Sequence, residues 1–406
     1  MHETLRIPFD ILEPRHAPLP LRVLVTAQAF GFGPAAAMAQ VFDHLRPRVQ
    51  YLAFAGAGHT CDIHSNLPYD AVHRLPDIGT GEAFGRLCAN HDAALIACDF
   101  PAAEAAKAAG IPVGLYDPIP WYWPTWPQVT TCADLYMCQD FFGVRERARD
   151  AGRSNIVVVP PMLPSLARVA STRSHHALMN LGGILNPFLS QSDCVSYARL
   201  MLAVFPIASR LYDEVHVATS HRIVEDLRHE VPVAQTMSPQ EAQHRLGRSE
   251  IAAMTPGLGN IYEAAAFATR VFWLPPANNT QGLQIDALRQ SGLAPFAADW
   301  HDLLPGRAPI DYRGPEPEVM VSIADAIRSA SRDPAAIERL RALFVQAYHA
   351  SATDNPLNAL LDRFGTGGDR VVAETFVQRL LSPLVVGRDL LPADNTPTTT
   401  HEAGRP

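Results

Sequence analysis

Between Met254 and Leu288 the chain reads MTPGLGNIYEAAAFATRVFWLPPANNTQGLQIDAL. An apolar run ends at Met254, and Thr255-Pro256-Gly257-Leu258-Gly259-Asn260 then turns the chain into a helix. Glycines let a ligand approach the backbone closely, and the unpaired N–H groups of a helix start attract anions, so this turn is a natural phosphate site. Glu263 follows one helical turn beyond Gly259. A carboxylate is a poor neighbour for phosphate, yet it suits the two hydroxyls of a ribose further along a nucleotide. After the next apolar run, Pro275-Pro276 leads to Asn278, Asn279, Thr280, Gln281 and Gln284. Amides both donate and accept, as a polyhydroxyl ring requires. Phosphate, ribose and sugar sites thus follow one another on two adjacent loops. The simpler alternative is that the same residues only make turns, as they do in many α/β domains.

Such loops need strands and helices to hold them. The runs Leu21–Ala27, Val49–Ala55, Ala93–Cys98, Pro112–Tyr116, Asp134–Cys138 and Ile156–Pro160 are almost continuously apolar. That pattern fits parallel strands covered on both faces. Helices are expected at Met38–Leu45 and at Pro101–Gly110, the latter with proline at its start and glycine at its end. The proline-rich stretch Pro160–Ser174 marks a boundary, after which a second alternating series begins. Its strands are expected at 176–183, 214–219, 233–236, 251–254 and 271–275, with helices over 191–210, from His221, from Ser238, from Gly259 and over 280–290. The expected organisation is an arm over 1–20, a Rossmann-like domain over 21–165 and a second over 172–365. A helix over 366–392 packs back on the first domain, and residues 393–406 form a disordered tail. The fold class is α/β, with two parallel sheets facing each other across a cleft.

Composition narrows the function. The 406 residues carry 33 Lys+Arg against 41 Asp+Glu, a net charge of −8 that leaves no broad basic footprint for nucleic acid or anionic membrane. No apolar run approaches the roughly 18–20 residues of a membrane span, and no leader pattern opens the chain, so a cytoplasmic location is expected. Six cysteines are scattered without a CxxC pair, which indicates neither a disulfide framework nor a zinc ribbon. His59, Cys61, Asp62 and His64 match no strong metal spacing, so no metal is expected. Oligomeric state is open.

The 254–288 segment resembles the donor-binding signature of two-domain GT-B nucleotide-sugar glycosyltransferases, among them UDP-glucosyl and UDP-glucuronosyl transferases and the N-acetylglucosaminyltransferase that makes lipid II. That signature has a His, a Gly two residues on and a Glu eight residues on, then a proline-ended strand and an acid or amide paired with Gln. Thr255, Gly257, Glu263, Pro275 and the Asn279–Gln281 group stand at these places. The resemblance implies that Gly257, Leu258, Gly259 and Asn260 meet the diphosphate, Glu263 the ribose, and Asn279, Thr280 and Gln281 the sugar. It also implies that Asn180, Gly182 and Gly183 form a second diphosphate loop, although a Gly-Gly is equally a plain strand-end turn. The loop Phe30-Gly31-Phe32-Gly33 takes the place of the family's acceptor loop. UDP-sugar would then be a co-substrate, a small molecule the acceptor, and no further cofactor is implied. Two departures stand out: Thr255 replaces the family's His, which leaves the diphosphate to backbone N–H groups, the Thr255 hydroxyl or an arginine, and Arg270 replaces a proline before the last strand.

Many such enzymes carry a catalytic His in the acceptor loop, which GFGP lacks. The candidate bases are His59, Asp62 and three aspartates that each follow an apolar run, Asp99, Asp117 and Asp140; a helix cap or a solvated loop charge is the alternative for each of these three. Trp121-Tyr122-Trp123-Pro124-Thr125-Trp126 holds three of the five tryptophans. Trp121 and Trp123 could stack on a planar or sugar acceptor, or simply wedge the core. The AFGFGP loop and the TPGLGNIYEA segment are also similar to cytosylglucuronic acid synthases, which implies transfer of glucuronate from UDP-glucuronate to a free pyrimidine base in nucleoside natural-product biosynthesis. Arg270, His221 or Arg222 would then pair with the sugar carboxylate. The expected function is an inverting glycosyltransferase. A UDP-sugar epimerase or hydrolase of the same fold, and a non-catalytic nucleotide-sugar-binding partner, are the competing classes.

Overall fold

The computed structural model describes residues 17–30, 32–79, 81–163, 175–231, 233–350 and 356–389. The expected arm over 1–20 (up to residue 16), linker from 164, tail and Gly31 lie outside the described residues. Strands β1 (Leu19–Ala27), β2 (Val49–Gly56), β3 (Ala71–Arg74), β4 (Ala93–Ala97), β5 (Val113–Asp117), β6 (Leu135–Gln139) and β7 (Ile156–Val159) form one sheet in the order β3-β2-β1-β4-β5-β6-β7. Strands β8 (His176–Asn180), β9 (Glu214–Ala218), β10 (Ala234–Gln235), β11 (Ile251–Met254) and β12 (Arg270–Trp273) form a second, in the order β10-β9-β8-β11-β12. Every pairing is parallel. The expected α/β class, with two Rossmann-like parallel sheets, is the class observed.

The continuous apolar runs have a direct cause. In the central strand β4, consecutive side chains Ala94, Leu95 and Ile96 are all fully buried, because helices cover both faces. The strand missing from the sequence reading is β3. Of its four residues AVHR, three are half-buried and Arg74 is exposed at a sheet edge, and they carry no apolar run to betray them. The first helix starts at Gly33 with Pro34 in its first turn, and alanines 35–37 carry it into the expected Met38–Leu45 span. One helix, Gln191–Leu211, is long and apolar enough by composition to cross a membrane, which the sequence reading had not expected of any segment. Half of its apolar window is buried, with Tyr197 and Met201 fully enclosed against the second sheet.

Each sheet reverses its winding once, between β1 and β4 and between β8 and β11. At such a switch point the two flanking loops diverge and leave a crevice beyond the carboxyl ends of the strands. The 255–259 turn and the 181–183 turn flank the crevice of the second sheet; residues 28–30 and 98–99 flank that of the first. The two carboxyl edges face each other. The hydroxyl of Tyr262, on the helix after β11, donates to the carbonyl of Asp140 after β6 at 2.8 Å. Phe141, Phe142 and Phe364 surround this joint with ring centroids 4.9–6.0 Å apart.

After helices Glu316–Ala330 and Pro334–His349 complete the cover of the second sheet, the chain returns to the first. Helix Gly368–Phe376 lies along helix Gly33–Leu45, where Asp369 meets His44 Nε2 at 3.1 Å. Phe376 presses onto β5 at Gly114, where a Cβ would sit 2.6 Å from the ring. Gly114→Ala is therefore expected to destabilise the protein by about 1–3 kcal/mol through overpacking. Urea unfolding would measure this, and a neutral result would mean that the terminal helix is not held by this contact.

Candidate functional site

The crevice of the second sheet is built by a chain of polar side chains. Thr255, fully buried, donates from Oγ1 to the carbonyl of Gly182 at 2.5 Å. Asn260 donates from Nδ2 to the Thr255 carbonyl at 2.9 Å and accepts from Asn180 Nδ2 at 3.2 Å. Asn180 Oδ1 accepts from the Gly182 N–H at 2.9 Å, and Gly183 turns the chain with φ +75°. These bonds tie the two loops of the switch point to each other. They also show what Thr255 does where the family signature has His: its hydroxyl is spent on a loop contact. What remains for an anion is backbone. Helix Leu258–Phe267 starts after Gly257 with no side-chain cap, so the N–H groups of Leu258, Gly259 and Asn260 have no acceptor within the helix.

Glu263 sits one turn further on. Its Oε1 accepts from Gln243 Nε2 at 3.0 Å, and burial raises its pKa from 4.5 to about 6 although Gln243 favours the ionised form. Its other oxygen receives no hydrogen bond from a described residue. A half-buried carboxylate with one oxygen braced and one open can accept from a diol. Gln243 had no sequence signal, since it lies on a separate helix, Pro239–Arg248.

At the end of β12 the amides divide their labour. Asn278 caps helix Asn279–Gln290 by accepting from the Gln281 N–H, and the hydroxyl of Thr280 bonds the same oxygen. Gln281 accepts from the Ala277 N–H at 2.8 Å and reaches the Gly183 carbonyl at 3.4 Å, bracing the two loops. Gln284 is buried with Oε1 unpartnered among the described residues. Asn279 donates from Nδ2 to the hydroxyl of Tyr122, which comes from the opposite domain, at 2.7 Å. The carboxylate of Glu316 lies close to the Tyr122 hydroxyl. Neither Tyr122 nor Glu316 was singled out from the sequence; Tyr122 stood between two tryptophans that were.

On the first domain, each expected carboxylate has a structural partner. Asp99 caps helix Phe100–Ala108 through the Ala102 N–H at 3.0 Å, and burial raises its pKa to about 6. Asp117 is fully buried and accepts from the Ile119 N–H at 2.8 Å, from Trp123 Nε1 at 3.0 Å and from the Tyr136 hydroxyl; burial pushes its pKa up against these donors. It therefore clasps the aromatic loop to β6. Asp140 pairs with Arg145 at 2.5 Å, and its Oδ1 is buried without a partner among the described residues. Trp123 spends its N–H on Asp117, whereas Trp121 packs on Phe141 and keeps a buried Nε1 unpartnered among the described residues. His59 meets Phe32 edge to face at 5.0 Å, which places it beside the loop after β1; Phe30 is half-buried in that loop and Gly33 is exposed. His64 is a core residue, stacked on Phe54 at 3.7 Å, and burial lowers its pKa to about 4.

The cations offered for a sugar carboxylate lie elsewhere. Arg270, at the opposite end of β12, bonds the Tyr348 and Ala350 carbonyls and Glu250. His221 pairs with Glu225 beyond β9, and Arg222 follows it on the same exposed helix start; β8 and β11 separate β9 from β12. Among the described residues, His176, Glu214 and His216 converge at the amino ends of β8 and β9, away from the crevice. Arg245 already bonds His216 Nε2 there at 3.0 Å.

No family model and no curated protein matches the chain. Among solved structures it is similar to the glycosyltransferase of kitacinnamycin (16% identity, 89% of this chain and 100% of that one, TM-score 0.47). It is also similar to the spinosyn rhamnosyltransferase SpnG (13%, 85% and 99%, 0.46) and to a UDP-N-acetylglucosamine 2-epimerase from Listeria monocytogenes described as putative (11%, 88% and 95%, 0.46). Likenesses this distant leave the function to be argued from the chain's own residues.

The clasp assigned to Asp117 makes a measurable claim. Asp117→Ala leaves an indole N–H and a phenol without their acceptor, and is expected to cost about 1–3 kcal/mol of stability and to shift the tryptophan fluorescence. A variant as stable as the parent would remove the clasp and return Asp117 to the candidate bases.

Proposed function

We propose that this chain is a GT-B glycosyltransferase that transfers a sugar from a UDP-sugar to a small-molecule acceptor. The observation that carries the reading is the uncapped N-terminus of helix Leu258–Phe267 at a switch point, with Glu263 one turn behind it and a row of amides on the next loop. In this reading the diphosphate lies at Gly257–Asn260, the ribose at Glu263 and the sugar at Asn279. The three N–H groups and the helix dipole face the charge that builds on the departing diphosphate, which supports catalysis by preorganised electrostatics and positioning. The acceptor would lie against Phe32, His59 and Trp121 on the first domain. In-line attack from that side inverts the sugar carbon. Glucuronate as the sugar, a pyrimidine base as the acceptor and a place in natural-product biosynthesis rest on the sequence resemblance alone.

An epimerase or hydrolase of the same architecture is the second reading. The observation that favours it is the cross-cleft contact of Tyr122 with Asn279, with Glu316 close to the same phenol, which sets a carboxylate and a phenol near the sugar loop. Consumption of UDP-sugar without an acceptor would separate it from transfer.

Uridine calorimetry tests the ribose assignment. Glu263 must be ionised to accept from both hydroxyls, and its pKa of about 6 means that it takes up a proton as pH falls through that value. Uridine affinity is expected to hold from pH 8 to 7 and to fall below about 6, while uridine itself does not titrate there. Glu263→Gln should bind roughly 10–100-fold more weakly, the loss of charge-assisted hydrogen bonds, and should lose the pH dependence. Unchanged affinity in a folded variant sinks the assignment.

A further inference from the structure

We propose that Tyr122 and Glu316 complete the sugar subsite from across the cleft and select a donor sugar that carries no carboxylate. The inference rests on the donor site proposed above and names the chemistry of its sugar. Asn279 stands at the carboxyl end of β12, with Oδ1 held by the Thr280 N–H at 2.9 Å, so its Nδ2 is the group it offers to the crevice. In the present structure that group is received by Tyr122 Oη at 2.7 Å, and the Glu316 carboxylate lies beside the same hydroxyl. A sugar hydroxyl donates and accepts as a phenol does, so it can exchange with, or add to, either contact.

The position of Glu316 is built into the fold. Gly282, one turn into the helix that Asn279 begins, has no side chain, and the ring of Tyr312 fills the space; a Cβ there would lie 2.2 Å from the ring. The Tyr312 hydroxyl is fixed on Asp299 at 2.9 Å. That packing fixes Tyr312 against helix Asn279–Gln290, and Glu316 follows four residues on, where helix Glu316–Ala330 begins. Burial raises the pKa of Glu316, and the nearby Tyr122 hydroxyl favours the ionised form. A uronic acid carboxylate entering here meets a like charge in a half-buried setting, with Arg270 committed at the far end of its strand. A neutral hexose meets three hydrogen-bonding groups.

Calorimetry with UDP, UDP-glucose and UDP-glucuronate on the full chain tests this, using the parent, Glu316→Gln and Tyr122→Phe. The parent is expected to bind UDP-glucose at least about tenfold more tightly than UDP-glucuronate. Glu316→Gln should bring the two sugars within about threefold, chiefly by improving UDP-glucuronate, and leave UDP unchanged. Tyr122→Phe should alter UDP-glucose affinity but not UDP affinity, and serves as the probe if the Glu316 variant does not fold. Equal binding of the two sugars by the parent overturns the inference, as does discrimination that survives in both variants. Failure of UDP itself to bind overturns the donor site instead, so the two ideas fail by different results.

Discussion

The carboxyl edges of two parallel sheets meet at one joint, and the candidate site exists because they do. Tyr262 reaches out of the helix after β11 to the Asp140 carbonyl after β6, and Phe141, Phe142 and Phe364 pack around that bond. A buried phenol needs a hydrogen-bond partner, and here the partner belongs to the other domain, which couples a polar requirement to the burial of large apolar rings. The last segment of the chain supplies Phe364 before it crosses to the first sheet, where Phe376 seats on Gly114. Connections in both directions therefore hold the crevices opposite each other.

Within the second domain, most polar side chains near the crevice serve the loops. Thr255, Asn180, Asn260 and Gln281 bond neighbouring backbone or each other, and this leaves the N–H groups of a helix start as the exposed electropositive feature. The division is economical in physical terms. Backbone dipoles held by a rigid framework need little reorganisation when charge builds on a departing group, whereas a flexible cation would have to be ordered first. The aspartates of the first domain follow the same logic: Asp99 caps a helix and Asp117 clasps the tryptophan loop, so their charges are matched to local donors.

The parallel-sheet class was legible because both faces of each strand are covered, which writes itself as continuous apolar runs. The glycine turn, Glu263 and the amide cluster were legible because they lie within thirty-five consecutive residues and follow the chain order of two adjacent strands. Their individual roles were not. Composition shows that Gln281 is an amide; it does not show that its oxygen is already taken by the Ala277 N–H. Likewise, Asp117 follows an apolar run whether it is a base or a clasp, and only the nearby Trp123 and Tyr136 decide between them.

Local sequence thus determined the α/β class, the switch-point turn and the set of residue types offered to a ligand, since strand and helix signals depend on neighbours along the chain. Tertiary structure alone decided which of those groups are spent and which remain. It also decided that Tyr122, Asn279 and Glu316, separated by 157 positions at one step and by the whole helix Asn279–Gln290 at the next, meet at one point. Such a meeting depends on how two sheets dock and on a single missing side chain at Gly282, and neither is a property of any local run of residues.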